Sequence, residues 1–411
     1  MLRKPCVALV GGGLGGLTAL LALTRAGIEA QLFEQATKLK EVGAGIGLSA
    51  NAMKVLRALG LENALRARGF EPQVSVGRDW TTAQTLFHVP LMKGGNARFG
   101  APHLNLHRAD VLDTLAAAVP APRVHLGCRC VGLSCSDQGA VITFSDGTQA
   151  EADIVVGCDG IRSFVRKTIH GPDAPRFTGN MCWRALVATE KLPPNHVPPH
   201  VTVWMGPRGH IITYYVRAGQ LVNIVAVKET PDWVEESWTI EASRGEFSAA
   251  YADVHRDLRL LLDQVDDGCF KWGLFDREPL PTWSAQRATL LGDAAHPMLP
   301  FLGQGAAMAI EDAFVLARAI SCWPEDIVTA LQTYEVTRRP RATKVQLASR
   351  RQGRIFHGDS PASASLEADW IYEYDVTDQA SYQSSRECAS AAAARSARRG
   401  PRRLSAAQRR G

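Results

Sequence analysis

The sequence predicts an α/β protein with two parts. One is a discontinuous nucleotide-binding domain of parallel strands and helices, and the other is a second, mainly antiparallel β-sheet domain that would take substrate. Three observations carry this. The run Val7-Ala8-Leu9-Val10 reads as a buried parallel strand and passes through Gly11, Gly13 and Gly16, a G-x-G-x-x-G turn, into the helical spacing of Leu17, Leu20 and Leu21. Residues 176–272 then read as successive strands with Gly/Pro turns. Finally, Ala288-Thr289-Leu290-Leu291-Gly292-Asp293 reads as a strand rejoining the first domain.

Taken in order, the first glycine of the turn permits a tight bend and the second lets a pyrophosphate approach the backbone. The third lets helix and strand pack closely, with the phosphates at the positive helix end. The strand Ala30-Gln31-Leu32-Phe33-Glu34 ends in an acid eighteen residues beyond Gly16, the spacing at which a carboxylate meets a ribose hydroxyl. The loop Glu41–Asn51, with glycines at 43, 45 and 47, permits backbone approach to something flat or phosphorylated and leads into a helix through Met53, Val55, Leu56 and Leu59. Residues 73–100 leave the strand–helix rhythm for short strands, an excursion into the other domain. At His103–Leu112 strand gives way to helix, with Arg108 at the junction, where it meets a ligand or pairs with Asp110 or Asp113. Val124–Val131 and Ala140–Phe144 read as a hairpin, and Ala152–Gly157 as a buried strand ending in Asp159-Gly160. The expected boundaries are 1–175 with 276–350 for the nucleotide domain, 176–275 for the sheet domain, and 351–411 for a C-terminal extension.

The net charge of +5 does not describe the body of the chain. Eight arginines against one glutamate fall between Arg386 and Gly411, which leaves the remainder slightly negative, so a nucleic-acid-binding face is not expected. That tail, rich in Ala, Arg and Ser, reads as disordered. No stretch offers eighteen uninterrupted apolar residues, so no membrane span is expected, and the five glycines among residues 11–16 break the apolar run too early for a secretory signal. Nine cysteines without zinc-like spacing, some within apolar runs, read as reduced buried thiols of a cytoplasmic protein, with no metal site.

With Gly11/Gly13/Gly16, Gly-Cys-Asp-Gly at 157–160 and Gly-Asp-Ala-Ala-His-Pro at 292–297 in place, the sequence resembles the single-component FAD-dependent aromatic hydroxylases. Within them it is most similar to the salicylate hydroxylase and 3-hydroxybenzoate 6-hydroxylase group. The resemblance implies a Rossmann-like FAD-binding domain in which Gly11, Gly13 and Gly16 hold the pyrophosphate and Glu34 the adenosine ribose. It also implies cofactor roles for Gln35, Gly45, Arg108, Asp159, Asp293, Gln304 and Gly305. The helix opening at Gly303-Gln304-Gly305 would aim free N–H groups at the flavin pyrimidine ring, where reduced flavin is anionic. A single nucleotide fingerprint leaves NADH or NADPH as a transient visitor.

The implied reaction is hydroxylation of a phenolic aromatic carboxylate by O2 through a flavin hydroperoxide, in a monomer or homodimer. Such a ring reacts as a phenolate, so a group must accept or relay its proton. His210 and Tyr214, four residues apart on one strand face, are the catalytic candidates, and relatives carry His and Tyr at this spacing. Arg184, Arg217, Tyr214 and Tyr215 all lie where a carboxylate anchor is needed, and spacing does not rank them. Relatives acting on 6-hydroxynicotinate carry a histidine where this chain has Gly47, which counts against that substrate. Other readings are a flavin-binding regulator without catalysis, a flavoprotein monooxygenase acting on a different ring or alkene substrate, and an NAD-dependent dehydrogenase, against which the late Gly292-Asp293 motif argues.

Overall fold

The computed structural model describes residues 5–39, 44–231, 240–266, 269–357 and 368–378. Glu41, Val42 and Gly43 of the glycine loop and the arginine-rich tail 386–411 lie outside them.

Five parallel strands form the first sheet, in the order Ala288–Leu290, Ile154–Gly157, Cys6–Val10, Glu29–Glu34, Val124–Leu126. Val7, Leu9, Leu32, Ile154 and Leu290 are fully buried because helices cover the sheet. Leu17, Leu20 and Leu21 of the helix Leu14–Arg25 are likewise at 0% exposure. Each such leucine contributes about 1.5–3 kcal/mol by leaving water. The chain leaves this sheet and returns to it, since the strand Ala288–Leu290 leads on to the helix Gly305–Cys322, which packs beside Leu14–Arg25.

The second sheet has eight strands, in the order Ile240–Ala242, Cys269–Asp276, Arg176–Ala188, Leu221–Glu229, Gly209–Val216, Val201–Gly206, Val74–Asp79, Thr85–Pro90. All neighbours are antiparallel except Val74–Asp79 with Val201–Gly206. Strands from the region 73–100 thus form one edge of this sheet. One face packs Trp80, Trp183, Ile224 and Tyr251 into a core of its own, and the other carries Cys182, Val203, Val225 and Trp272 toward the first domain.

Two features depart from the sequence reading. Val124–Leu126 is not the first arm of a hairpin but the edge strand of the parallel sheet, because Gly127, at φ +75°, turns the chain. The meander that follows is Cys130–Cys135, Ala140–Phe144 and Gln149–Ala152. In addition, one helix, Ile327–Phe356, runs straight through position 350 with Pro340 inside it. Side-chain pairing holds it there. Arg338, at 0% exposure, bonds Asp312 through Nε at 2.7 Å and lies 2.6 Å from Glu311 through Nη1. Asp312 also meets His296 Nε2 at 2.6 Å and accepts from Gly292 N at 3.1 Å, so one guanidinium fixes the returning loop against two helices. Burial would raise both carboxyls, yet the cations hold them below their ordinary range.

Candidate active site

A cavity of about 400 Å3 lies between the two sheets. The parallel sheet contributes the strand-end turns Gly13–Gly15, Cys158 with Gly160–Arg162, and Leu291–Asp293, at the carboxyl ends of its strands, the place where open α/β sheets bind ligands.

Backbone geometry explains the glycines. Gly11 has φ +112°, and a Cβ there would come within 2.4 Å of the Cys158 carbonyl oxygen. Around Gly13 a Cβ would meet nothing within 4 Å, because that side opens on the cavity. The space beside Gly13 is therefore the cradle that a pyrophosphate fits. Further along, Gly45, Ser49, Arg108, Asp293, Gln304 and Gly305 all line the cavity. Asp293 is ringed by protein yet its side chain is open to the cavity; burial pushes its carboxyl up, opposed by His296 and Arg108. Gly45 N donates to Asn223 Oδ1 at 2.7 Å. Gln304 is held by two side chains, donating to Ser49 Oγ at 2.9 Å and accepting from Asn51 Nδ2 at 3.1 Å. The Nδ2 groups of Asn105 and Asn223 are buried without a hydrogen-bond partner among the described residues, and Asn105 stands in the wall. Such donors call for a ligand with acceptors, as an isoalloxazine and its ribityl chain have.

Several named residues stand elsewhere. Glu34 is outside the cavity wall; its carboxylate accepts from Gly12 N at 2.6 Å and Ala36 N at 2.8 Å, which pins the strand end to the glycine turn. Gln35 is exposed next to it. Asp159 caps a helix, accepting from Phe164 N at 2.7 Å and Val165 N at 3.2 Å, while its Oδ1 is buried with no hydrogen-bond partner among the described residues. Burial pushes that carboxyl up as well.

The far wall is the second sheet, read across its strands. Arg184 pairs with Val225 and Val225 with Ile212, which pairs with Val203; all four line the cavity. The adjacent row brings Tyr214 beside Asn223, and Tyr214 too lines the cavity. Arg184 lies 5.0 Å over the Trp272 ring, and its Nε is buried with no hydrogen-bond partner among the described residues. The other anchor candidates are committed elsewhere. Arg217 pairs with Asp110 at 3.4 Å, and the Tyr215 hydroxyl donates to Val197 O at 2.7 Å.

His210 shares the face of Tyr214 but not the cavity wall. Its row runs Trp272, Cys182, Val227, His210, Met205, and its ring lies against Phe301 and Phe356 at 5.4 and 5.0 Å. Nδ1 meets His357 Nε2 at 2.9 Å, and His357 Nδ1 stands 3.4 Å from Glu229. Burial, then the neighbouring imidazole, pushes His210 far down, so it is neutral. The spacing of residues 210 and 214 defines a face, and two phenylalanines from distant segments decide where on that face the cavity ends. Sequence reasoning missed His103, Asn105, Asn223 and Tyr372. None stands in a motif, and each enters the site through a long-range contact.

A nucleotide cradle at the switch point of a parallel sheet opens through one cavity onto an aromatic-lined antiparallel sheet, an arrangement that fits an FAD-dependent monooxygenase acting on an aromatic ring. The chain matches the FAD binding domain family over residues 4–349 and belongs to it. It is 40% identical to a 3-amino-4-hydroxybenzoate 2-monooxygenase of Streptomyces platensis over 86% of this chain and 89% of that one. It is 32% identical to a 3-hydroxybenzoate 6-hydroxylase of Klebsiella oxytoca, over 85% and 88%. Among solved structures, a salicylate hydroxylase substrate complex superposes with a TM-score of 0.80 at 28% identity, over 93% of this chain and 98% of that one. Among the described residues no helix is long and apolar enough to cross a membrane, and no His/Cys/Asp/Glu group is arranged to hold a metal ion.

Proposed function

We propose that the protein hydroxylates a phenolic aromatic carboxylate of the hydroxybenzoate class, with NADH or NADPH as a transient electron donor. FAD, when bound, takes two electrons from the nicotinamide and activates O2, one atom of which enters the ring while the other leaves as water. Gly13, Gly45, Arg108, Asp293, Gln304 and Gly305 would hold the cofactor, with Gly11 shaping the turn. The observation that carries the substrate class is Arg184. A guanidinium over the Trp272 ring, its Nε buried with no hydrogen-bond partner among the described residues, suits a carboxylate attached to a flat ring. The relatives point the same way, since the acceptors in their names carry a ring hydroxyl and a carboxylate.

Tyr214 is the wall residue suited to meet the substrate hydroxyl. Burial pushes its phenol up to about 12, so at neutral pH it acts as a hydroxyl that donates or passes a proton. His210 stands behind this wall, joined to His357 and through it to Glu229, and would act on the site by positioning rather than by contact.

The test is Arg184→Met assayed with 3-amino-4-hydroxybenzoate, 3-hydroxybenzoate and salicylate, and with the corresponding phenols lacking the carboxylate. KM for the acids should rise about 10- to 100-fold, the value of a charge-assisted hydrogen bond, with kcat changed far less. Equal use of acids and carboxylate-free phenols by the wild type, or an unchanged KM in the variant, would refute the assignment.

A further inference from the structure

Residues 368–378 lie beyond the part of the chain that matches the family, and nothing in Ala368-Asp369-Trp370-Ile371-Tyr372-Glu373-Tyr374 suggests a role. Five cations nevertheless converge on them. Lys54, from the helix Ala50–Ala58, donates through Nζ to the carbonyls of Tyr372, Glu373 and Tyr374 at 3.2, 2.8 and 3.3 Å. These are carbonyls that the short helix Asp369–Tyr372 and its following turn leave free, and a cation is favoured there. Arg341 donates to Ile371 O at 3.0 Å and lies 3.7 Å over the Tyr374 ring. Lys344 stands 4.1 Å over Trp370, Arg318 donates to Val376 O at 3.0 Å, and Arg98 bonds Asp369 at 2.5 Å.

This grip reaches the site by two routes. Tyr372 is a buried wall residue of the cavity, edge-on to His103 with ring centroids 6.1 Å apart. His103 in turn fills the space over Gly47, where a Cβ would meet its Nε2 at 3.3 Å. The Tyr372 hydroxyl forms no hydrogen bond with another described residue, and burial keeps the phenol protonated, pushed up to about 12. By the second route, the guanidinium of Arg341 that holds Ile371 also binds Glu311, at 2.8 and 2.9 Å. Glu311 accepts from Asn51 Nδ2 at 2.6 Å, and the same Nδ2 donates to Gln304, the residue that opens the helix facing the cavity.

We propose that residues 368–378 are part of the flavin site. Tyr372 is a wall residue whose hydroxyl donates to the bound isoalloxazine, and Lys54 and Arg341 are positioning residues that set how tightly the cofactor is held. Cofactor affinity is then linked to the docking of a segment outside the nucleotide-binding motifs.

Lys54→Met tests this without altering a residue of the cavity wall or any glycine turn. FAD release from the holoenzyme would be followed by flavin fluorescence on dilution, iodide quenching would report flavin shielding, and hydrogen exchange would report residues 368–378. The variant should exchange faster there, bind FAD about tenfold more weakly and expose the flavin to iodide, and Lys54→Arg should restore much of each. Tyr372→Phe should weaken FAD several-fold with exchange unchanged. If Lys54→Met loosens the segment while FAD affinity and quenching match the wild type, the segment is structural only and the proposal fails. If Lys54→Met does not loosen it, Tyr372→Ala decides, and unchanged FAD affinity there also overturns the proposal. A wild type that binds no FAD would instead remove the cofactor assignment itself.

Discussion

The two walls of the cavity are built by different means. On the parallel-sheet side the shaping features are a glycine turn held by Glu34 and a helix start whose capping residue, Gln304, is fixed by Ser49 and Asn51. On the antiparallel side they come from side chains aligned across strands, with Arg184, Val225, Ile212 and Val203 in one row and Tyr214 in the next. A backbone site constrains local sequence, because only certain residues allow the turn. A cross-strand site constrains register, which is spread over segments many residues apart.

The comparison is broken most severely at Gly13. If that wall works through open backbone, Gly13→Leu should abolish FAD binding, by about 10³-fold or more, while the protein stays folded. The new side chain meets no protein atom near its Cβ and enters the pyrophosphate space instead. Equilibrium titration with FAD and a thermal melt would check this. Retained affinity would mean that the cofactor lies elsewhere.

On the other wall the expected effects are smaller and graded. Tyr214→Phe should lower hydroxylation per NAD(P)H consumed by about 10²-fold, the range of a lost acid/base group, and peroxide should rise in compensation. His210→Asn, behind Phe301 and Phe356, should cost about tenfold and also lower the melting temperature, because His357 loses its partner. A reversed order, with His210 the more damaging, would place the imidazole in contact with the substrate and Tyr214 beside it.

This contrast accounts for what the sequence made legible. The turn at Gly11, Gly13 and Gly16, the return at Gly292-Asp293 and the strands on both sides were readable because each is local and each glycine or acid answers to one backbone requirement. The rank of Arg184 over Arg217 was not, since it depends on Trp272 lying under one guanidinium and Asp110 beside the other. The position of His210 depends on where Phe301 and Phe356 fall. Tyr372 was invisible for the same reason. It reaches the cavity through long-range contacts, among them those of Lys54 and Arg341 with its segment. Local motifs also mislead in one direction, as a motif acid can serve the turn itself.

Asp159 and Asp293 sharpen that last point with the smallest effects. Both belong to motifs implied to bind cofactor, yet Asp159 spends Oδ2 on the N–H groups of Phe164 and Val165, whereas Asp293 faces the cavity. Asp159→Asn keeps one acceptor oxygen, so the helix should lose about 0.5–1 kcal/mol, the low end for a weakened cap. FAD affinity should change less than threefold. Asp293→Asn should do the opposite. Stability should hold or rise slightly, because burial already disfavours its charged form. FAD should bind about tenfold more weakly, since a ribityl or ribose hydroxyl donates more strongly to a carboxylate than to an amide. Chemical denaturation of the FAD-free protein and FAD titration, run on both variants, separate the two. If Asp159→Asn loses FAD and Asp293→Asn loses stability, the roles are exchanged, and the buried Oδ1 of Asp159 is the atom that meets the ligand.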